Sequence, residues 1–210
     1  MAKNKSGSLF IIAAPSGAGK TSLVKALIND MDNVEVSVSH TTRQPRASEM
    51  EGTAYHFVNE NDFKQLIKQN QFLEYAKVFG NYYGTSRDWV NTQLAAGKNI
   101  ILEIDWQGAQ QVKSQLRNSV TIFILPPSYR TLRERLDSRQ HDDTETIERR
   151  MDAAREEISH YKEFDYIIIN EDFDMALTKI KTIITATNLG RCRQSAFYDD
   201  FVSKIMNQED

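Results

Sequence analysis

Short runs of branched and aromatic residues recur along the chain: LFIIAA at 9–14, VEVSVS at 34–39, NIILEID at 99–105, VTIFIL at 120–125 and DYIIIN at 165–170. Most are apolar without alternation, the pattern of strands covered on both faces, and helical patterns lie between them. The alternation predicts an α/β fold with a mostly parallel sheet flanked by helices. Near the end, MALTKIKTIITAT at 175–187 carries apolar residues at helical spacing, and Asn188 or Gly190 could supply its C-cap. Two stretches break the rhythm. Residues 39–87 are polar and aromatic, punctuated by Gly52, Gly80 and Gly84, and read as an inserted lobe. Residues 130–155 hold seven arginines and no lysine, and read as two helices joined by a mobile turn, QHDD.

At 210 residues the chain can bury a substantial core, either as one compact unit or as a core with inserted lobes. Hydrophobic residues at 40% and charged residues at 26% belong to a soluble globular protein. A net charge of −3 argues against nucleic-acid binding through bulk positive charge, so any anion site must be local. The apolar run at 9–14 is far too short for a membrane helix and follows a polar start, so neither anchor nor signal peptide is expected. Cys192 is the single cysteine and cannot form an internal disulfide, which fits a reducing cytoplasm. The four histidines show neither HxH nor HExxH spacing, which speaks against a zinc enzyme.

APSGAGKTS at 14–22 changes the picture, because it follows a buried-strand run and opens a helical pattern, as a phosphate-binding loop must. Gly17 and Gly19 let the backbone turn so that the N–H groups of residues such as Ser16, Ala18 and Ser22 can face a phosphate. Lys20 would reach the β- and γ-phosphates, and the Thr21 hydroxyl would ligate Mg²⁺. Ala14 stands where the usual pattern begins with glycine. By itself the loop identifies only a nucleotide phosphate. Glu103 and Asp105, two residues apart at a strand end, share a face beside that loop and form an acidic edge for a metal shell.

The segments SHTTRQPRASEMEGTAYHF, FLEYAKVFGNYYGTS, LEIDWQGA, ILPPS and DYIIIN, together with the loop, resemble the guanylate kinase family over nearly the whole chain. The resemblance implies that Arg43, Arg46, Tyr55 and Tyr83 bind the phosphate of GMP, which suits the arginine fork and the neutral phenol donor. It places Ser39, Glu74, Thr85 and Asp105 around guanine, Asn170 near the adenine of ATP, and phosphate-clamping roles on Arg135, Arg139 and Arg150. Glu103 would serve Mg²⁺ directly or through water. Glu74 would discriminate, since a carboxylate accepts from guanine N1–H and N2–H₂ whereas adenine presents an acceptor at N1. Taken alone, Glu74 reads as a solvated acid at a helix end, Arg43 and Arg46 as a solvated surface pair, and Asn170 as a turn former.

The implied activity is reversible transfer of the γ-phosphoryl group of Mg-ATP to GMP or dGMP, by alignment and charge neutralisation, with no catalytic triad. The implied body has three parts: a core of 1–38, 88–129 and 156–210, a GMP lobe at 39–87 and a lid at 130–155. ATP and GMP are the expected partners, with no nucleic acid and no membrane. A non-catalytic binding module of the same shape is opposed by the intact GAGKT and the arginine set. A kinase for a phosphorylated ribose would leave Glu74 without a purpose.

Overall fold

The computed structural model describes residues 6–47, 49–78, 80–138 and 144–207. Its first sheet contains β2 (Val34–Val36), β7 (Asn99–Glu103), β1 (Leu9–Ala13), β8 (Val120–Leu125) and β9 (Tyr166–Ile169), in that order and all parallel. These are the apolar runs of the sequence. Central β1 is buried throughout because alternate residues serve opposite cores. Phe10 and Ile12 pack with Leu23 and Leu27 of α1 (Lys20–Asp30) and Ile180 and Ile184 of α7 (Phe173–Leu189). Leu9 and Ile11 face Val90 of α3 (Arg87–Ala95) and Val112 of α4 (Trp106–Gln115). Each such side chain contributes about 1.5–3 kcal/mol relative to exposure.

VEVSVS leaves this sheet at Val36, and the chain enters a second one, ordered β4 (His56–Phe57), β3 (His40–Thr41), β6 (Asn81–Ser86) and β5 (Phe72–Val78). The insertion therefore has a sheet of its own, which its polar composition concealed. Helix α2 (Glu60–Lys68), capped by Asn59, supplies the apolar anchor: Phe63 stacks on Phe72 at 4.6 Å and on Tyr82 at 5.3 Å. Between β5 and β6 the register shifts at Phe72/Glu74, so Phe72, Leu73 and Glu74 are all buried where a regular strand would alternate.

The arginine-rich segment forms α5 (Tyr129–Asp137) and α6 (Thr144–Ser159), which join through Leu132, Leu136, Met151 and Ala154. Arg139 and the QHDD turn lie outside the described residues. Gly190 follows α7 with φ −58°, a cap conformation open to any residue, and α8 (Arg191–Asn207) continues the chain as a helix. Among the described residues no helix is long and apolar enough to cross a membrane.

Candidate active site

The turn after β1 closes with Ala18 N–H donating to the Pro15 carbonyl at 3.1 Å. Gly17 (φ 89°) and Gly19 (φ 95°) occupy the left-handed region, where a side chain is strained. A Cβ on Gly19 would also lie 2.4 Å from Asn170 Nδ2. Lys20 begins α1, so Thr21 and Ser22 stand exposed in the first turn of a helix whose positive end favours anions. Ser16 lies partly buried at the entrance to the same turn.

Beneath the loop, Asn170 donates Nδ2–H to the Ala18 carbonyl at 2.8 Å, and only 4% of Asn170 is exposed. Arg135 reaches the same carbonyl at 3.4 Å through Nη1 and donates Nη2–H to the Asn170 carbonyl at 3.2 Å. Both residues thus support the loop from behind. Lys20 donates from Nζ to the Ile104 carbonyl at 3.1 Å, and the Thr21 hydroxyl donates to Glu103 Oε1.

Two adjoining clefts share Tyr55 and Tyr83. One is lined by Arg43, Arg46, Arg149 and Arg150 against a single carboxylate, Glu49, an excess of positive charge suited to an anion. Arg43 Nη2 donates to both Glu49 oxygens, at 2.8 and 2.9 Å, while Glu49 also accepts Arg46 N–H at 2.8 Å. The Arg43 hydrogen bond holds the Glu49 carboxyl below its ordinary value, and the same bond raises Arg43. The Arg43 guanidinium carbon lies 5.4 Å from the centre of the Tyr55 ring. Burial pushes the Tyr55 phenol up, so it remains a neutral donor.

The second cleft joins Tyr55 and Tyr83 to Lys20, Ser39, Glu74, Glu103 and Asp105. Glu74 is 4% exposed, not a solvated helix-end acid. Its Oε1 accepts from the Thr85 hydroxyl at 2.6 Å, and Thr85, its cross-strand neighbour, is completely buried. Burial pushes the Glu74 carboxyl up to about 7, with the Thr85 hydrogen bond opposing and the Asp105 charge reinforcing the rise. Asp105 Oδ1 accepts Gly108 N–H at 2.7 Å and so caps α4.

Sequence-derived candidates from four parts of the chain therefore meet here. Thr85 is the exception around the base end: it supports Glu74 and lines neither cleft. Sequence reasoning missed Glu49, three residues after Arg46, and Arg149, whose place beside Arg150 was its only signal. It also missed Glu157 of α6, which burial pushes up to about 7 while the Lys20 charge pulls it back.

A family model described as guanylate kinase matches residues 6–187. The chain is 51% identical over 202 residues to guanylate kinase of Escherichia coli O157:H7, covering 95% of this chain and 98% of the relative. It is 52% identical over 200 residues to guanylate kinase of Methylobacillus flagellatus, covering 95% and 99%. The crystal structure of guanylate kinase from Anaplasma phagocytophilum matches with a TM-score of 0.76 and 34% identity over 90% of each chain.

Proposed function

This chain belongs to the guanylate kinase family, whose members are ATP:GMP phosphotransferases, and from that premise we propose how its residues divide the work of moving the γ-phosphoryl group of ATP to GMP or dGMP. The loop of Ser16, Gly17, Ala18, Gly19, Lys20, Thr21 and Ser22 cradles the ATP phosphates. Lys20 exchanges the Ile104 carbonyl for phosphate oxygen. Asn170 and Arg135 keep the loop in shape, and Arg135, Arg139 and Arg150 draw toward the transferring group as the lid closes.

The acceptor takes the neighbouring clefts. Its phosphate meets Arg43 and Arg46, with Tyr55 and Tyr83 adding neutral donors, while Glu74 and Ser39 meet the base and Thr85 and Asp105 support that end. The observation that carries this reading is the buried Glu74 carboxylate opening into a cleft shared with Lys20, beside the arginine-lined cleft. A nucleotide with its base on Glu74 has its phosphate directed toward cations. The attacking phosphate oxygen is already anionic, so the protein aligns two charged groups and needs no general base.

Thr21 and Glu103 offer a hydroxyl and a carboxylate in hydrogen-bond contact, hard oxygen donors that fit Mg²⁺. Among the described residues no group of three or more His, Cys, Asp or Glu could hold a metal alone, and an ion with so few protein ligands would share its shell with nucleotide oxygens and water. Thr21, with Glu103 directly or through water, would hold the ion. When bound, Mg²⁺ supplies neutralisation of phosphate charge.

The division of labour follows a core of 1–38, 88–129 and 156–210, a GMP lobe at 39–87 and a lid at 130–155. The second sheet, running from His40 to Ser86, supports the lobe boundaries. ATP and GMP are the partners, without nucleic acid or membrane, and the reaction belongs in the cytoplasm.

ADP release with Mg-ATP, compared across GMP, AMP, UMP and ribose bisphosphate, tests this assignment. Stimulation by GMP alone, weakened in Glu74→Ala, is expected. A folded protein that binds GMP but releases no ADP would return the binding-module reading.

A further inference from the structure

Gly108 is the third residue of α4 and lies outside the positive-φ region that Gly17 and Gly19 occupy, so its backbone makes no demand for glycine. Alanine is ordinarily the favoured residue at a helix position. Nor does its N–H explain the choice, since that group is given to Asp105 Oδ1 and any residue but proline could supply it. The space beside it is what distinguishes the position. A Cβ would stand 2.9 Å from Glu74 Oε2, 3.2 Å from Asp105 Oδ1 and 3.3 Å from Ile104 Cδ1.

Glu74 has little room to yield. Its other oxygen is held by Thr85 at 2.6 Å, the residue is 4% exposed, and its strand pairs directly with that of Thr85. A methyl group on Gly108 therefore turns or displaces the carboxylate, while none of the three atoms it crowds belongs to the phosphate loop. We propose that Gly108 is a specificity-determining positioning residue, whose missing side chain keeps Glu74 where its carboxylate can accept both N–H groups of guanine. The inference rests on Glu74 as the group that reads the base.

Discrimination between GMP and inosine monophosphate, which lacks the 2-amino group, isolates that geometry. The experiment compares kcat/KM for both acceptors, KM for ATP and the melting temperature in the parent, Gly108→Ala and Glu74→Ala. Gly108→Ala is expected to stay folded and to melt close to the parent, the helical preference for alanine offsetting part of the strain on Glu74. Its KM for GMP should rise about tenfold, the scale of one weakened hydrogen bond to a charged group. KM for ATP should stay within twofold, and the GMP preference should fall at least threefold.

If Glu74→Ala loses the preference and Gly108→Ala changes it less than threefold, the role of Gly108 is overturned while Glu74 stands. A Gly108→Ala protein that raises KM for ATP as much as KM for GMP also overturns it, since the glycine would then serve the fold as a whole and not the base. If Glu74→Ala keeps the full preference, the reading of Glu74 itself falls and this inference with it.

Discussion

Asn170 fastens the end of β9 to the phosphate loop: its Nδ2–H donates to the Ala18 carbonyl at 2.8 Å across 152 positions of sequence. Glycine at position 19 permits the approach, since a Cβ there would lie 2.4 Å from the same nitrogen. The bond joins a buried donor to a buried acceptor on the loop that must present its amides to ATP.

Among the described residues, Asn170→Ala leaves the Ala18 carbonyl with the longer contact from Arg135, at 3.4 Å. A cost of about 0.5–1.5 kcal/mol in unfolding free energy is expected from the lost buried hydrogen bond. KM for ATP should rise while KM for GMP holds. Urea unfolding and steady-state kinetics check both, and unchanged stability would remove the structural role.

Glu74 gives the ligand-free protein a specific pH dependence. Its carboxyl is raised from 4.5 to about 7 in the folded state, so between those values the folded chain binds a proton that the unfolded chain has released. The favourable contribution is fully present below about 4.5 and is lost as pH rises through about 7. The gap corresponds to about 3 kcal/mol. Glu157 adds a slope of the same sign. Glu74→Gln should therefore gain stability over the parent between pH 5 and pH 8 while losing GMP turnover. Parallel unfolding curves for the two proteins at both pH values would contradict the assignment.

Arg43→Lys replaces a guanidinium that touches both oxygens of Glu49 with a point charge that cannot fork. KM for GMP should increase roughly tenfold or more, reflecting the lost bidentate contact, with KM for ATP unaffected. Initial-rate measurements with each substrate varied separately decide the matter. A KM for GMP within twofold of the parent would dismiss Arg43 as a phosphate ligand.

Lys20→Met should lower kcat by about 10²–10³, the scale for removing a group that stabilises transition-state charge. GMP affinity should be retained, because the acceptor meets its own arginines. Thermal stability should fall modestly, as the variant loses the hydrogen bond to Ile104 and the charge that offsets the burial of Glu157. Calorimetry with GMP and a melting curve separate these effects, and a variant that turns over normally would exclude Lys20 from the chemistry.

The parallel sheet was legible from its apolar runs. LFIIA of central β1 is buried on both faces, whereas YIII of edge strand β9 is exposed at Tyr166, Ile167 and Ile169 and so is not covered on both faces as its composition suggests. The phosphate loop was legible because its turn, its lysine and its helix start are consecutive in the chain. Neither property extended to the inserted sheet. His40–Thr41 and His56–Phe57 are too short to show a period, and the bulge at Phe72/Glu74 erases alternation in the longest strand. The functional state of several polar residues was likewise hidden. Nothing local to Glu74 reveals that Thr85 and Gly108 enclose it, and nothing local to Asn170 reveals the carbonyl it holds. The chain by itself determined which chemical groups are available and where continuous apolarity forces a strand. Their burial, partners and proton affinities were decided only in the tertiary structure, because these depend on neighbours that distant segments bring together.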